Sequence, residues 1–136
     1  MKHIVVVDDD KGIREIVTFA LTHNGFDVAA ASNGSQLQGL LDEQMPDLIL
    51  LDVMMPGQDG YHLFYRLRSD PLTQHIPVII MTARPEDIYS RISHDLGAMH
   101  ITKPFHPLEL VERVKTLLTD NSLGEVQSSD SSPIAE

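Results

Sequence analysis

Four aspartates stand where short apolar runs end. Residues 8–10 are all Asp and directly follow the run at 4–7, and Asp52 directly follows the run at 48–51. If the two runs are neighbouring parallel strands, these carboxylates converge at one edge of a sheet. Clustered carboxylates repel one another unless a cation shares the site. With no Cys or His in the local motif, the all-oxygen set favours Mg²⁺ over Zn²⁺. Asp10, ahead of a helical segment, is also a candidate helix cap.

Two further polar side chains follow apolar runs later in the chain, Thr82 after 77–81 and Lys103 after 98–102. Taken singly, Thr82 is an ordinary strand-end residue and Lys103 a solvated charge. Together with the aspartates they provide a nucleophilic carboxylate, a metal site, a hydroxyl donor and a cation. This set suits a phosphoryl group whose charge is spread over three oxygens.

The elements that must position these side chains alternate along the chain. Five apolar runs lie at residues 4–7, 27–31, 48–51, 77–81 and, more weakly, 98–102, each followed by helical periodicity. This alternation predicts an α/β fold, a flavodoxin-like (βα)5 doubly wound parallel sheet with helices on both faces. The expected strand order is 2-1-3-4-5, which places ligands beyond the carboxyl ends of strands 1 and 3.

Apolar residues at spacings of three and four mark the helices. They are Ile13, Ile16, Val17, Ala20 and Leu21; Leu37, Leu40 and Leu41; Leu63, Phe64 and Leu67; Ile88, Ile92 and Leu96; and Leu110, Val111, Val114, Leu117 and Leu118. Phe19 is assigned to the core with them. Gly25 is expected to end the first helix, Ser32 or Asn33 to cap the second, and Pro85 to begin the fourth.

Composition excludes several classes of protein. Ten Lys and Arg against twenty Asp and Glu give a net charge of -10, which opposes direct nucleic-acid binding by this segment. The absence of Cys excludes disulfide scaffolds and thiolate metal sites. The N-terminal apolar run at 4–7 is too short for the roughly 7 to 15 residues of a secretory signal core, and no other run approaches the roughly 18 residues of a membrane span. We therefore expect a soluble, cytoplasmic protein with no membrane partner.

The end of the sequence differs from the rest. Residues 120–136 contain five Ser, four acidic residues and no Lys or Arg, without a repeating apolar pattern. Such a segment cannot bury enough surface to offset its ordering entropy. We expect one domain at 1–119, followed by a flexible tail or linker at 120–136.

Four sequence blocks resemble the signature blocks of response regulator receiver domains. They are VVDDD at 6–10, LLDVMMPG at 50–57, MTAR at 81–84 and TKPF at 102–105, in the family's order. The resemblance covers residues 1 to about 119 and implies a receiver of a two-component phosphorelay. The implied partners are a sensor histidine kinase or histidine phosphotransfer protein and a downstream protein or output domain. Phosphorylation-dependent homodimers are common in similar domains.

The resemblance also implies roles for the aspartates. Asp52 would be the phosphoacceptor, its carboxylate attacking a phosphoryl group held on a histidine of the partner. Asp9 and Asp52 would ligate Mg²⁺ directly, together with the backbone carbonyl of Met54, while Asp8 would act through bound water. The result is a switch setting rather than turnover of a metabolite.

Three further positions belong to the implied switch. Lys103 would pair with a phosphoryl oxygen, and its bond to Pro104 would be cis. Thr82 would swing to the phosphoryl group and couple the site to the face made by helix 4, strand 5 and helix 5. His100 stands where the family usually has Tyr or Phe. We hypothesise that His100 makes switching pH-sensitive, because imidazole titrates near pH 6.5; a solvent-facing His is the alternative.

Two other classes of protein compete with this interpretation. A haloacid-dehalogenase-type phosphatase also uses an Asp nucleophile, a Thr or Ser, a Lys and Mg²⁺, but its further acidic pair has only Glu109 and Glu112 as candidates. A flavodoxin-like electron carrier would need a first loop that accepts phosphate, which three aspartates repel. Within the receiver interpretation, a stand-alone protein and part of a longer regulator both remain open.

Overall fold

The computed structural model describes residues 1–54, 60–84 and 88–127, and in this part of the chain five strands form one sheet. The strands are β1 (His3–Val7), β2 (Asp27–Ala31), β3 (Leu48–Asp52), β4 (Val78–Thr82) and β5 (Met99–Thr102). All neighbours are parallel and the order is β2-β1-β3-β4-β5. The predicted fold class and strand order are therefore confirmed.

Helices cover both faces of this sheet. They are α1 (Lys11–His23), α2 (Gly34–Glu43), α3 (Gly60–Ser69), α4 (Ile88–Asp95) and α5 (Pro107–Gln127). One apolar cluster joins the sheet to α1 and α5, and a second joins its other face to α2 and α3. The central strands β1, β3 and β4 are buried on both faces, as their continuous apolar sequences require.

Helix termini follow the expected chemistry. The Asp10 side chain accepts a hydrogen bond from the backbone N–H of Ile13 and so caps α1, as predicted. Of the two candidates for α2, Asn33 is the cap and accepts from the N–H of Gln36. Gly25, just beyond α1, has a φ of 90°, a conformation that glycine adopts without steric cost.

The assignment of Phe19 to the core is wrong, since 67% of this residue is exposed. Val17 and Leu21 point from α1 into the sheet. Phe19 lies two positions from each, about 200° around the helix, and therefore faces away. There it stacks on His23, with ring centroids 4.8 Å apart. The core assignment is correct for Leu63, Phe64 and Leu67, which are all buried.

The last helix is longer than the periodicity predicts. The apolar pattern ends at Leu118, whereas α5 extends to Gln127 and so enters the segment expected to be a tail. A helical backbone satisfies its own hydrogen bonds and needs no apolar stripe to continue. The expected helix start at Pro85 and residues 128–136 lie outside the described residues. Within the described part of the chain, no helix has the length and apolar character needed to cross a bilayer.

Candidate functional site

Four strands deliver the polar side chains singled out in the sequence to one edge of the sheet. Asp8 directly follows β1, Asp52 ends β3, Thr82 ends β4 and Lys103 directly follows β5. Because the strands are parallel, all four residues lie at their carboxyl ends, where ligands of such sheets bind. The backbone N–H of Lys103 donates to the Thr82 carbonyl at 2.8 Å and fixes the register at this rim. The predicted convergence is confirmed.

Asp8, Asp9 and Asp52 form a carboxylate cluster. One oxygen from each lies within 4.8 Å of those from the other two. Asp8 and Asp52 are buried, whereas Asp9 is exposed and opens the cluster to solvent. Three converging carboxylates with an open side fit a hard divalent cation, since Mg²⁺ prefers oxygen ligands and keeps several of its waters. Asp10, occupied as a helix cap, stands outside this cluster.

Lys103 supplies a positive charge to the two buried carboxylates. Its Nζ lies 2.9 Å from Asp8 Oδ2 and 3.3 Å from Asp52 Oδ1. Burial by itself lowers the pKa of Lys103, but the hydrogen bond to Asp8 and the attraction of both carboxylates outweigh it, so this pKa is raised. The ammonium therefore stays charged at neutral pH. The Lys103–Pro104 peptide bond is cis, as expected.

Asp52 is the perturbed acid of the site. The pKa of its carboxyl is raised from 3.8 to about 6, chiefly by burial and also by the negative charge of Asp8. The hydrogen bond from the Met54 N–H, at 2.9 Å, and the charge of Lys103 oppose it. A shifted pKa of a buried acid is typical of functional sites.

Met54 and Thr82 each take part in one hydrogen bond at this edge of the sheet. Met54 turns its backbone N–H onto Asp52, and ligation by its carbonyl stays a prediction. Thr82 is fully buried, and its Oγ1 accepts a hydrogen bond from the backbone N–H of Arg84 at 2.9 Å. The hydroxyl is thus already engaged with the loop that follows β4.

His100 lies on β5, two residues before the end of the strand. It is in register with Ile80, and Thr102 is in register with Thr82, so His100 and Thr82 share a face of the sheet. The half-buried ring is bonded through Nε2 to Ser93 Oγ at 2.9 Å, which differs from a purely solvent-facing His. A role for His100 in switching stays a prediction.

Sequence reasoning missed Arg14. Its guanidinium reaches back from α1 and donates to the backbone carbonyl of Asp8 at 2.8 Å. The N–H of Asp10 donates to Asp8 Oδ1 at 2.9 Å, so the loop is held from both sides. Arg14 lies six residues after Asp8, about one turn into α1, and that spacing was its only signal in the sequence.

Replacing the exposed member of the cluster tests its role in metal binding. We expect Asp9→Asn to weaken Mg²⁺ binding by about tenfold or more, because the charge of the ligand set tunes divalent affinity over orders of magnitude. Stability without metal should change little, because Asp9 is exposed. Isothermal titration with MgCl₂ measures the affinity. Asp10→Asn is the matched control, since Asn also caps helices. An equal loss in both variants would reveal a general charge effect instead of ligation.

The fold is a flavodoxin-like α/β sheet that carries three carboxylates and a lysine at the carboxyl edge of its strands. Residues 4–115 match the family model described as the response regulator receiver domain, and the chain belongs to this family. It is therefore the receiver domain of a response regulator in two-component signalling, as its sequence blocks predict. The comparisons give no support to the phosphatase alternative.

The relatives of the chain are regulators by name. It is 41% identical over 128 residues to the phosphate regulon transcriptional regulatory protein PhoB of Pseudomonas aeruginosa, covering 93% of this chain and 56% of PhoB. PhoB of Escherichia coli is 42% identical over 118 residues, covering 86% of this chain and 52% of PhoB. The chain thus spans about half the length of the curated relatives it matches.

Solved structures agree in fold along the whole domain. A putative response regulator from Chloroflexus aurantiacus is 37% identical with a TM-score of 0.76, covering 87% of this chain and 98% of that one. The receiver domain of DrrB, described as BeF3-activated, is 33% identical with a TM-score of 0.74, covering 88% and 98%. A CheY-like receiver domain protein from Methanospirillum hungatei is 26% identical with a TM-score of 0.82, covering 90% and 98%.

Proposed function

We propose that this domain accepts a phosphoryl group onto Asp52 from a phosphohistidine of a sensor histidine kinase or histidine phosphotransfer protein. The observation that carries the proposal is the position of the Lys103 ammonium, 3.3 Å from a buried Asp52 that also lies in a carboxylate cluster. A nucleophile, an acidic cation site and a fixed positive charge are thus within reach of one phosphoryl group.

The transfer uses the residues in distinct roles. An oxygen of the Asp52 carboxylate forms a bond to phosphorus as the phosphorus–nitrogen bond of the donor histidine breaks, and the electron pair of that bond stays with the imidazole. With a pKa of about 6, Asp52 is roughly nine-tenths ionised at pH 7 and available for attack. Lys103 balances charge on the transferred group while it keeps Asp8 as its second partner.

The proposal also includes a Mg²⁺ ion at the carboxylate cluster. Asp9 and Asp52 would hold Mg²⁺ directly, with the carbonyl of Met54, and Asp8 would hold it through water. When bound, Mg²⁺ offsets the charge that accumulates when a phosphoryl group joins a site of three carboxylates. The buried Thr82 hydroxyl would then turn from Arg84 to a phosphoryl oxygen and report occupancy to the face made by α4, β5 and α5.

The wider setting is also proposed. The names of the relatives suggest a regulator whose receiver controls an output domain, and we propose that it is cytoplasmic. Residues 120–136, which begin inside α5, would then act as a tail or linker. The chain as a whole carries a net charge of -10, so this segment would contact proteins rather than DNA. A stand-alone receiver whose output is protein binding fits the same site. Homodimer formation upon phosphorylation is a further expectation for either version.

Phosphorylation by a small donor tests the proposal. We expect acetyl phosphate with Mg²⁺ to add one phosphoryl group to each chain, and EDTA to reduce labelling at least about tenfold by removing the cation. Intact-protein mass spectrometry measures the labelling. Addition that persists undiminished in EDTA would contradict the Mg²⁺ site. Sustained Mg²⁺-dependent hydrolysis of small phosphomonoesters would contradict the receiver and favour a phosphatase.

A further inference from the structure

Among the side chains of helix α4 that the structure describes, the buried ones are serines. Ser90 and Ser93 are 3% and 0% exposed, whereas the apolar residues Tyr89, Ile92 and Leu96 are 41% to 52% exposed. The two sets are offset by one residue, about 100° around the helix, so the polar stripe faces inward and the apolar stripe outward. Hydrogen bonds of these serines therefore contribute to holding α4 on the domain.

Ser90 is the anchor at the N-terminal end of α4. Its hydroxyl donates to the backbone carbonyl of Arg84 at 3.1 Å and is also joined to the Tyr61 hydroxyl at 2.7 Å. Because a serine has one hydroxyl proton and that proton is directed to Arg84, Tyr61 is the donor to Ser90. The tyrosine ring also stacks on Tyr89, with centroids 5.6 Å apart. Helix α3 and the loop after β4 thus meet at one serine.

Three more hydrogen bonds involve this helix and the residue after it, two at Ser93 and one at Arg68. Ser93 Oγ donates to the Ser90 carbonyl at 3.0 Å and is joined to His100 Nε2 at 2.9 Å, which ties the middle of α4 to β5. At the far end, Arg68 Nε donates to the carbonyl of Leu96 at 3.1 Å.

The backbone of Arg84 connects Ser90 of α4 to Thr82 at the proposed phosphoryl-accepting site. Its N–H donates to Thr82 Oγ1 at 2.9 Å, and its carbonyl accepts from Ser90. We infer that Ser90 is a positioning residue that transmits the state of Thr82 to α4 through the backbone of Arg84. The inference rests on the proposed function, because it takes the Thr82 hydroxyl to be drawn to a phosphoryl group on Asp52.

The transmission has a simple sequence of contacts. When the Thr82 hydroxyl turns to the phosphoryl group, the N–H of Arg84 loses its acceptor and the loop shifts. The Arg84 carbonyl then moves away from Ser90, and α4 loses an anchor at its N-terminal end. Ile92 and Leu96 are already 41% and 47% exposed, so the release exposes little new apolar surface from these two residues.

Hydrogen–deuterium exchange of the α4 amides, read by mass spectrometry on the full chain, tests the inference. Without phosphoryl mimic, we expect Ser90→Ala to speed this exchange by about tenfold, the effect of losing one buried hydrogen-bond partner on local opening. Tyr61→Phe should act in the same direction. Ser69→Ala is the matched control, because its hydroxyl bonds to Tyr65 of its own helix on an exposed surface, and exchange in α4 should not change.

Beryllofluoride with Mg²⁺ then separates the relay from the site. In the wild type, we expect the mimic to speed α4 exchange, whereas in Ser90→Ala it should add less than about twofold because the anchor is already lost. Binding of the mimic is measured independently by fluorine NMR and should be unchanged in Ser90→Ala. Binding with a full wild-type response in Ser90→Ala would overturn the relay alone. Failure of the wild type to bind the mimic would overturn the proposed function, and the relay with it.

Discussion

Asp52→Asn is expected to abolish phosphoryl uptake and, at the same time, to stabilise the metal-free domain at pH 7.5. Uptake is lost because an amide cannot attack phosphorus as a carboxylate does. Stability rises because the folded domain holds an ionised carboxylate in a buried site beside Asp8. A rise in pKa from 3.8 to about 6 corresponds to about 3 kcal/mol against folding above pH 6. Burying the Asn amide costs part of this free energy, so we expect Asp52→Asn to increase the free energy of unfolding by on the order of 2 kcal/mol.

The sign of the pH dependence follows from the same shift. The folded state binds the Asp52 proton more tightly than the unfolded chain does, so the cost of ionisation is absent below pH 3.8. It grows as the pH rises to about 6 and stays constant above that. The advantage of the Asn variant should therefore be large at pH 7.5 and small near pH 4, as measured by urea unfolding in EDTA.

A matched substitution separates this effect from a general loss of negative charge. Asp95 has a side chain that is 85% exposed, and Asp95→Asn should change stability by less than about 0.5 kcal/mol at either pH. Labelling of the Asp52→Asn variant by acetyl phosphate would assign the phosphoacceptor to another residue. A variant less stable than wild type at pH 7.5 would contradict the cost assigned to ionised Asp52.

The acidic site could be predicted from the sequence because its geometry is topological. Each of Asp8, Asp52, Thr82 and Lys103 ends or directly follows an apolar run, and parallel strands bring their carboxyl ends to one edge. Residue type and strand position alone therefore locate the cluster. The predicted convergence depends only on the strand order and not on any side-chain conformation, and this is why the structure confirms it.

The remaining features depend on helix rotation and on the reach of side chains between elements. Periodicity shows that a helix has an apolar stripe, but α4 turns its serines inward and leaves Ile92 exposed, which its sequence alone does not show. Arg14 reaches the Asp8 carbonyl, and Ser90 joins Tyr61 to Arg84, through contacts between separate elements. Such contacts follow from how helices are placed on the sheet, and local sequence patterns do not specify that placement.

Lys103→Met should destabilise the metal-free domain at pH 7.5 by on the order of 3 kcal/mol, because removing one partner leaves buried charge uncompensated. Lys103 pairs with Asp8 and Asp52 together, so its loss leaves two buried carboxylates in mutual repulsion. Methionine keeps most of the side-chain volume, which limits any packing effect. Lowering the pH through 6 should restore part of the stability, since the positive charge that holds down the pKa of Asp52 is gone and protonation becomes easier.

Added Mg²⁺ should rescue the Lys103→Met variant more than it stabilises the wild type. The cation would bind the same carboxylates that Lys103 now pairs with, so in the variant it meets no competing ammonium and relieves a larger repulsion. Urea unfolding with and without MgCl₂ measures the difference. Lys115→Met is the control, because Lys115 contacts only the exposed Asn24 amide oxygen at 3.4 Å among the described hydrogen bonds and should respond to Mg²⁺ as the wild type does. Equal stabilisation of all three proteins by Mg²⁺ would mean that Lys103 and the cation do not contact the same carboxylates. That result would contradict the arrangement of charges on which the proposed phosphoryl acceptance depends.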